Sequence, residues 1–159
     1  MKKLILGMAI VASAFVFGQK GDVNAQLQEA NKTAMDAYNA KNYAVAAPKF
    51  MEVYNLLKTS GQDNKVYMYY AGLNYALAND YPQATKIYTD LINSGYTGVE
   101  TTYTAKDNKT GQVASYDQKT WELLKKTSSK DYSDFKTEQS PSVESDLYET
   151  LTQILLNDK

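Results

Sequence analysis

Two close pairs of carboxylates, Asp131 with Asp134 and Glu144 with Asp146, are the residues in the second half of this chain whose spacing could support acid–base work. Hydrolysis by such a pair needs both groups fixed in one pocket with their pKa values held apart. Both pairs lie in polar stretches that water reaches, which makes them solvated charges. Asp107-Asn108-Lys109-Thr110-Gly111 has the outline of a calcium loop but lacks the alternating oxygen ligands and the closing Glu; a hairpin turn accounts for it. The chain contains no His and no Cys. The commonest general base, the commonest metal ligand and the thiolate nucleophile are therefore missing, and with them most catalytic triads and nearly all zinc sites. No Gly-rich phosphate loop occurs. Asn31-Lys32-Thr33 and Asn108-Lys109-Thr110 have the spacing of a glycosylation acceptor, but the first falls inside a helical pattern and both read as incidental. The expectation is a protein with no catalytic residue, no metal ligand and no cofactor.

The 159 residues carry a net charge of −1 and no basic cluster, so the electrostatic footprint of a nucleic-acid binder is missing. The beginning has the three-part layout of an export signal. Met1-Lys2-Lys3 is positive, Leu4 to Phe17 is uncharged and apolar, and Gln19-Lys20-Gly21-Asp22 returns to polar residues. An apolar run of about 14 residues is too short for a bilayer span, which needs about 20. Cleavage is expected after Gly18, with Ala14 as the other candidate; cutting at Ala14 would leave Phe15, Val16 and Phe17 on the new terminus. Residues 1–18 are thus assigned to a signal peptide, and the mature chain to the periplasm or cell envelope, or to secretion. Without cysteines it has no disulfides, so apolar burial must hold it together.

Helical patterning occupies residues 26–96, in two units, 26–58 and 65–96. Ala30, Ala34, Ala37 and Tyr38 recur at spacings of three and four, the stripe of an amphipathic helix. After the turn Asn39-Ala40-Lys41-Asn42, a second helix presents Ala46, Phe50, Val53, Tyr54 and Leu57. Pro48 is expected in its first turn, where an N–H has no helical partner anyway. Lys58 to Lys65 reads as a loop. Val66 to Ala78 then gives a helix with Met68, Ala71, Gly72 and Tyr75 inward, Asn79-Asp80 a turn, and Pro82 the start of a helix burying Ala84, Ile87, Tyr88 and Leu91. The match between the pairs is close: Asn42-Tyr43-x-x-Ala46-x-x-x-Phe50 recurs as Asp80-Tyr81-x-x-Ala84-x-x-x-Tyr88, 38 residues on. A fixed period in that range signals stacked helical repeats.

After Gly95 the pattern changes. Residues 97–116 read as a β-hairpin insertion, with Val99 to Ala105 and Gln112 to Tyr116 as strands about the Asp107–Gly111 turn. Residues 117–159 follow: a short helix from Gln118 to Lys126 capped by Asp117, a polar stretch from Thr127 to Ser142 expected to be irregular, and a helix from Val143 to Leu156. That helix would bury Val143, Leu147, Leu151, Ile154 and Leu155. Its Leu-Asn-Asp end resembles the turn at Ala78-Asn79-Asp80, so it reads either as the first helix of an incomplete third repeat or as a cap on the second.

These positions resemble tetratricopeptide repeats over Gln28 to Leu57 and Val66 to Ile92, a little under half the chain. The matches are the small residue of the first helix (Ala34, Gly72), the aromatic opening the second (Tyr43, Tyr81), the small crossing residue (Ala46, Ala84), the aromatic four residues later (Phe50, Tyr88), and Tyr75. Small side chains let helices approach to about 8–10 Å, and aromatics fill the space between. Ala30 and Met68 replace the usual early Trp, the closing Pro is missing, and Val53 and Leu91 stand where a small residue is usual. The layout, including Gly95-Tyr96-Thr97-Gly98-Val99, also resembles exported tetratricopeptide-repeat proteins of Bacteroidetes-type bacteria. The fold class implied is mainly α: helix-turn-helix repeats forming a right-handed α-solenoid, with a small β-hairpin insertion.

The resemblance implies a partner-binding concave face built from the first helices: Asn31, Met35, Tyr38 and Asn39 in one repeat, Tyr69, Leu73, Ala76 and Leu77 in the next. The Lys/Asn pattern that grips a C-terminal carboxylate in some members does not stand at these positions. Fourteen tyrosines stand out, either as inter-repeat packing or as a ligand-contacting strip. The function expected is a non-catalytic scaffold binding a protein or peptide. The alternative is a surface-glycan-binding accessory protein in which exposed Tyr and Trp121 stack on sugar rings.

Overall fold

A computed structural model describes residues 21–157; the expected signal at 1–18 and both cleavage points lie outside them. Among the described residues are six helices and three strands. They divide into two compact units, a helical one that runs to Val99 and resumes at Ser140, and a smaller one, Glu100–Gln139, that holds the sheet.

The helical unit opens with α1 (Gly21–Asn39), α2 (Tyr43–Thr59), α3 (Val66–Leu77) and α4 (Tyr81–Asn93), each packed on the next. The small residues sit where the helices meet. Ala34, Ala46 and Ala84 have no exposed surface, and Gly72 is buried. A Cβ placed on Gly72 would lie 2.9 Å from Ile87 Cγ2 and 3.3 Å from Tyr88 Cε2, closer than a methyl group can sit without displacing α4. Phe50 and Tyr88 are buried beside these crossings. Half-buried Tyr43 packs 6.1 Å from the Tyr38 ring.

The repeat extends to the backbone. Lys41 and Asn79, 38 residues apart, are both left-handed, with φ of 57° and 61°. In each case the next residue's N–H reaches back to the helix, Asn42 to the Ala37 carbonyl and Asp80 to the Tyr75 carbonyl. This closes α1 and α3 with the same Schellman-type turn. The ends of α2 and α4 match too, at Gly61 and Gly95 with φ of 83° and 67°, but these are only 34 residues apart. The four extra residues of the longer period therefore lie within α2, which has 17 residues against 13 in α4. They form one more helical turn, not the longer Lys58–Lys65 loop that would also fit the spacing.

Pro48 also departs from expectation. α2 begins at Tyr43, so Pro48 lies in the second turn and removes an N–H that would bond the Ala44 carbonyl. Ala44 and Pro48 are both exposed, so water can take that carbonyl and the helix continues.

Past α4 the chain leaves at Val99 and returns at Ser140. The Thr97 carbonyl accepts from Val143 N at 2.8 Å and Ser142 Oγ at 3.1 Å, and the Gly98 carbonyl accepts from Ser140 Oγ. The last described helix, α6 (Glu144–Asn157), packs on α4 through Leu147, fully buried, and Ile154. Leu155, expected inward, is 53% exposed; it lies about 100° round the helix from Ile154.

In the sheet unit, β1 (Thr101–Asp107) and β2 (Val113–Tyr116) form the expected hairpin, and α5 (Gln118–Thr127) follows. The stretch expected to be irregular instead forms β3 (Tyr132–Gln139), antiparallel to β1, in the sheet order β2-β1-β3. Its sequence, YSDFKTEQ, shows no apolar alternation because the strand is largely solvated and kinks at Asp134, φ 50°. Only Tyr132, Ser133 and Phe135 are half-buried. No helix among the described residues is long and apolar enough to cross a membrane.

Two substitutions test this packing. Gly72→Val must push a branched side chain into the contact with Ile87 and should lower unfolding free energy by about 1–3 kcal/mol in urea titration followed by helical circular dichroism. Lys41→Gly relieves a left-handed backbone at a solvent-exposed turn and should raise it by about 1 kcal/mol.

Candidate functional site

An open cleft of about 660 Å³ lies across α2, α3 and α4 in the helical unit. Met51, Tyr54 and Lys58 line it from α2, at spacings of three and four. Met68 and Tyr75, two turns apart, come from α3, and Gln83, Lys86, Ile87 and Asp90 from α4. The α2–α3 loop adds Asp63 and Lys65. Methionine, isoleucine and tyrosine rings make the floor, and charges make the rim. Asp63 accepts from Tyr54 Oη at 3.0 Å and lies 3.5 Å from Lys65 Nζ. Lys58 Nζ stands 5.5 Å from the Tyr54 ring centroid, a cation–π contact that holds it in place. Burial, with Asp80 nearby, raises the Tyr75 hydroxyl above its ordinary pKa.

None of the eight residues expected on a concave face lines this cleft. Asn31, Met35 and Tyr38 of α1 and Leu73 and Ala76 of α3 are half-buried; Asn39 and Leu77 are exposed. Tyr69 is a correction: only 4% exposed, it packs 6.3 Å from Tyr88 and 6.4 Å from Tyr96. Burial raises the Tyr69 hydroxyl, with Asp146 adding to it, and pushes the Tyr88 hydroxyl far above the phenol range, with Tyr69 adding to it. Both therefore remain neutral, as interior hydroxyls should.

The tyrosines as a group belong to packing. Tyr148 alone of the fourteen is exposed. Trp121 is not open either: it is 9% exposed, and Nε1 donates to the Thr104 carbonyl at 2.8 Å. Tyr103 and Phe135 pack against its ring, 5.5 and 5.7 Å away, and Lys125 Nζ covers it at 4.8 Å.

Neither carboxylate pair lines the cleft. Asp131 and Asp134 are exposed on the sheet unit, with Asp131 3.8 Å from Lys109 Nζ; Glu144 is exposed and Asp146 half-buried at the start of α6. The Asp107–Gly111 segment is a hairpin turn, as expected, with Asp107 Oδ1 accepting from Lys109 N at 2.8 Å and Thr110 N at 2.9 Å. Sequence reasoning missed the cleft because its lining comes from three helices and a loop. The available signal was the second stripe Met51-Tyr54-Lys58 beside the buried one on α2.

Hydrogen-bond donors hold two aspartates of the sheet unit below the ordinary carboxylate range: Asp107 through the N–H groups of Thr110 and Lys109, Asp117 through the Thr120 hydroxyl and then its N–H. A carboxyl whose pKa is lowered by folding favours the folded state while ionised. This contribution is complete above about pH 4 and is lost as pH falls through the lowered values. Trp121 is the one tryptophan and lies in this unit, so its fluorescence reports on it. Acid titration should expose Trp121, and the Asp107→Asn, Asp117→Asn double variant should show a flatter pH dependence.

Set beside known proteins, the chain matches no family model, no curated protein and no solved structure.

Proposed function

We propose that this chain is a non-catalytic scaffold that binds a partner protein or peptide, built from stacked tetratricopeptide-like repeats and exported to the periplasm or envelope of a Gram-negative bacterium. The observation that carries the reading is the cleft across α2, α3 and α4, an apolar floor with a charged rim and a volume suited to a few side chains. Its two carboxylates, Asp63 and Asp90, are both exposed, and Asp63 is already engaged by Tyr54 and Lys65. That setting favours contact over acid–base chemistry. The accessible residues of α1 and α3, Asn31, Met35, Tyr38, Asn39, Leu73, Ala76 and Leu77, offer a second contact area.

The glycan-binding alternative depends on aromatic faces open to water. With Trp121 covered on its ring and bonded through its N–H, and only Tyr148 exposed, the aromatic platform it requires is missing among the described residues. The scaffold reading is the stronger one.

A photo-crosslinking residue placed at Met51 should capture a polypeptide from envelope extract, while one at exposed Val113 should not. Met51→Asp, which sets a charge against the cleft floor, should reduce capture about tenfold or more. Capture of polysaccharide alone, or equal capture from both positions, contradicts the proposal.

A further inference from the structure

We propose that the cleft across α2, α3 and α4 selects a short extended peptide carrying an apolar anchor next to an acidic side chain. This rests on the scaffold reading and names the chemistry of its partner.

The argument begins with the charges on the cleft. Three lysines and two aspartates line it. Lys65 and Asp63 are paired, with Tyr54 as a further donor to Asp63. Lys58, Lys86 and Asp90 remain, and none of them forms an ion pair among the described residues. Lys86 and Asp90 are one turn apart on α4, a spacing at which such pairs can form, yet here they do not. The cleft therefore carries a net positive excess on a chain whose overall charge is −1. A bound carboxylate is drawn to Lys58 or Lys86, while Asp90 disfavours a second carboxylate and can accept peptide N–H groups.

Length and floor set the rest. From Gln83 to Ser94 the α4 side of the cleft runs about 16 Å, room for about five extended residues. Met51, half-buried, and Met68, 9% exposed, put flexible thioethers under the ligand, which adapt to an apolar side chain without fixing its shape. Lys58 stays above Tyr54, so one cation is positioned before any ligand arrives.

The test uses dye-labelled peptides of about six residues, identical except for Glu, Gln or Lys beside a central Leu, and fluorescence anisotropy with the whole protein. The Glu peptide should bind roughly 3–5-fold tighter than the Gln peptide at low salt, the Lys peptide should be weakest, and added salt should shrink the difference. In the Lys58→Gln, Lys86→Gln double variant the preference should disappear with circular dichroism unchanged, and in Asp90→Asn it should grow. Equal binding of the Glu and Gln peptides, or a preference that survives the double variant, overturns the acidic selection while leaving the cleft as a peptide site. Competition by an oligouronate stronger than that by the Glu peptide assigns the carboxylate to a sugar and overturns the peptide. Failure of every peptide to bind overturns this inference, whereas the scaffold reading itself stands or falls on crosslinking from Met51.

Discussion

At Gly72 α3 meets α4 with no room for a methyl group. The other crossings follow the same rule, with Ala34, Ala46 and Ala84 sealed from solvent. Close approach excludes large side chains from the line of contact, so the bulk needed to fill the core must stand beside it. Phe50 and Tyr88 do this, four residues after Ala46 and Ala84, one helical turn on. The helix ends are fixed with equal economy. Left-handed residues at 41, 61, 79 and 95 turn the chain sharply enough for each helix to fold back against the last.

Packing takes most of the aromatic side chains out of water. Thirteen of the fourteen tyrosines are at least half-buried, and the tryptophan anchors α5 to the sheet through a backbone carbonyl. What stays available to a partner is mainly charge. Lys58 and Lys86 stand on the rim of an apolar-floored cleft, and neither forms an ion pair among the described residues. The sheet unit keeps its own order through Asp107 and Asp117, each of which takes backbone N–H groups that would otherwise lack partners.

Much of the helical unit could be read in the sequence because its constraints are local. A small residue one turn before an aromatic, after Asn or Asp, marks a crossing wherever it occurs. The period of 38 was visible, but not its cause, since a helix lengthened by a turn and a lengthened loop space the motifs alike. β3 was illegible for a different reason: a mostly solvated strand needs no alternation, and Tyr132 and Phe135 alone could not announce it. Leu155 was misplaced because adjacent apolar residues on α6 leave the edge of the buried stripe open to either choice. The cleft was hidden because its lining is spread over four segments, and only folding brings Lys58 near the same space as Lys86. Tyr69 shows the limit of reasoning from a repeat position, as its partners Tyr88 and Tyr96 come from later in the chain.

The intimate contact of α3 with α4 is open to direct observation in solution. A carbon-edited NOE spectrum of the protein should show strong cross-peaks from the Gly72 α protons to the Ile87 γ2 methyl and to the Tyr88 ring. Sharp Ile87 and Tyr88 resonances without those cross-peaks would mean that the helices do not meet at the glycine, and the packing described for the helical unit would be wrong.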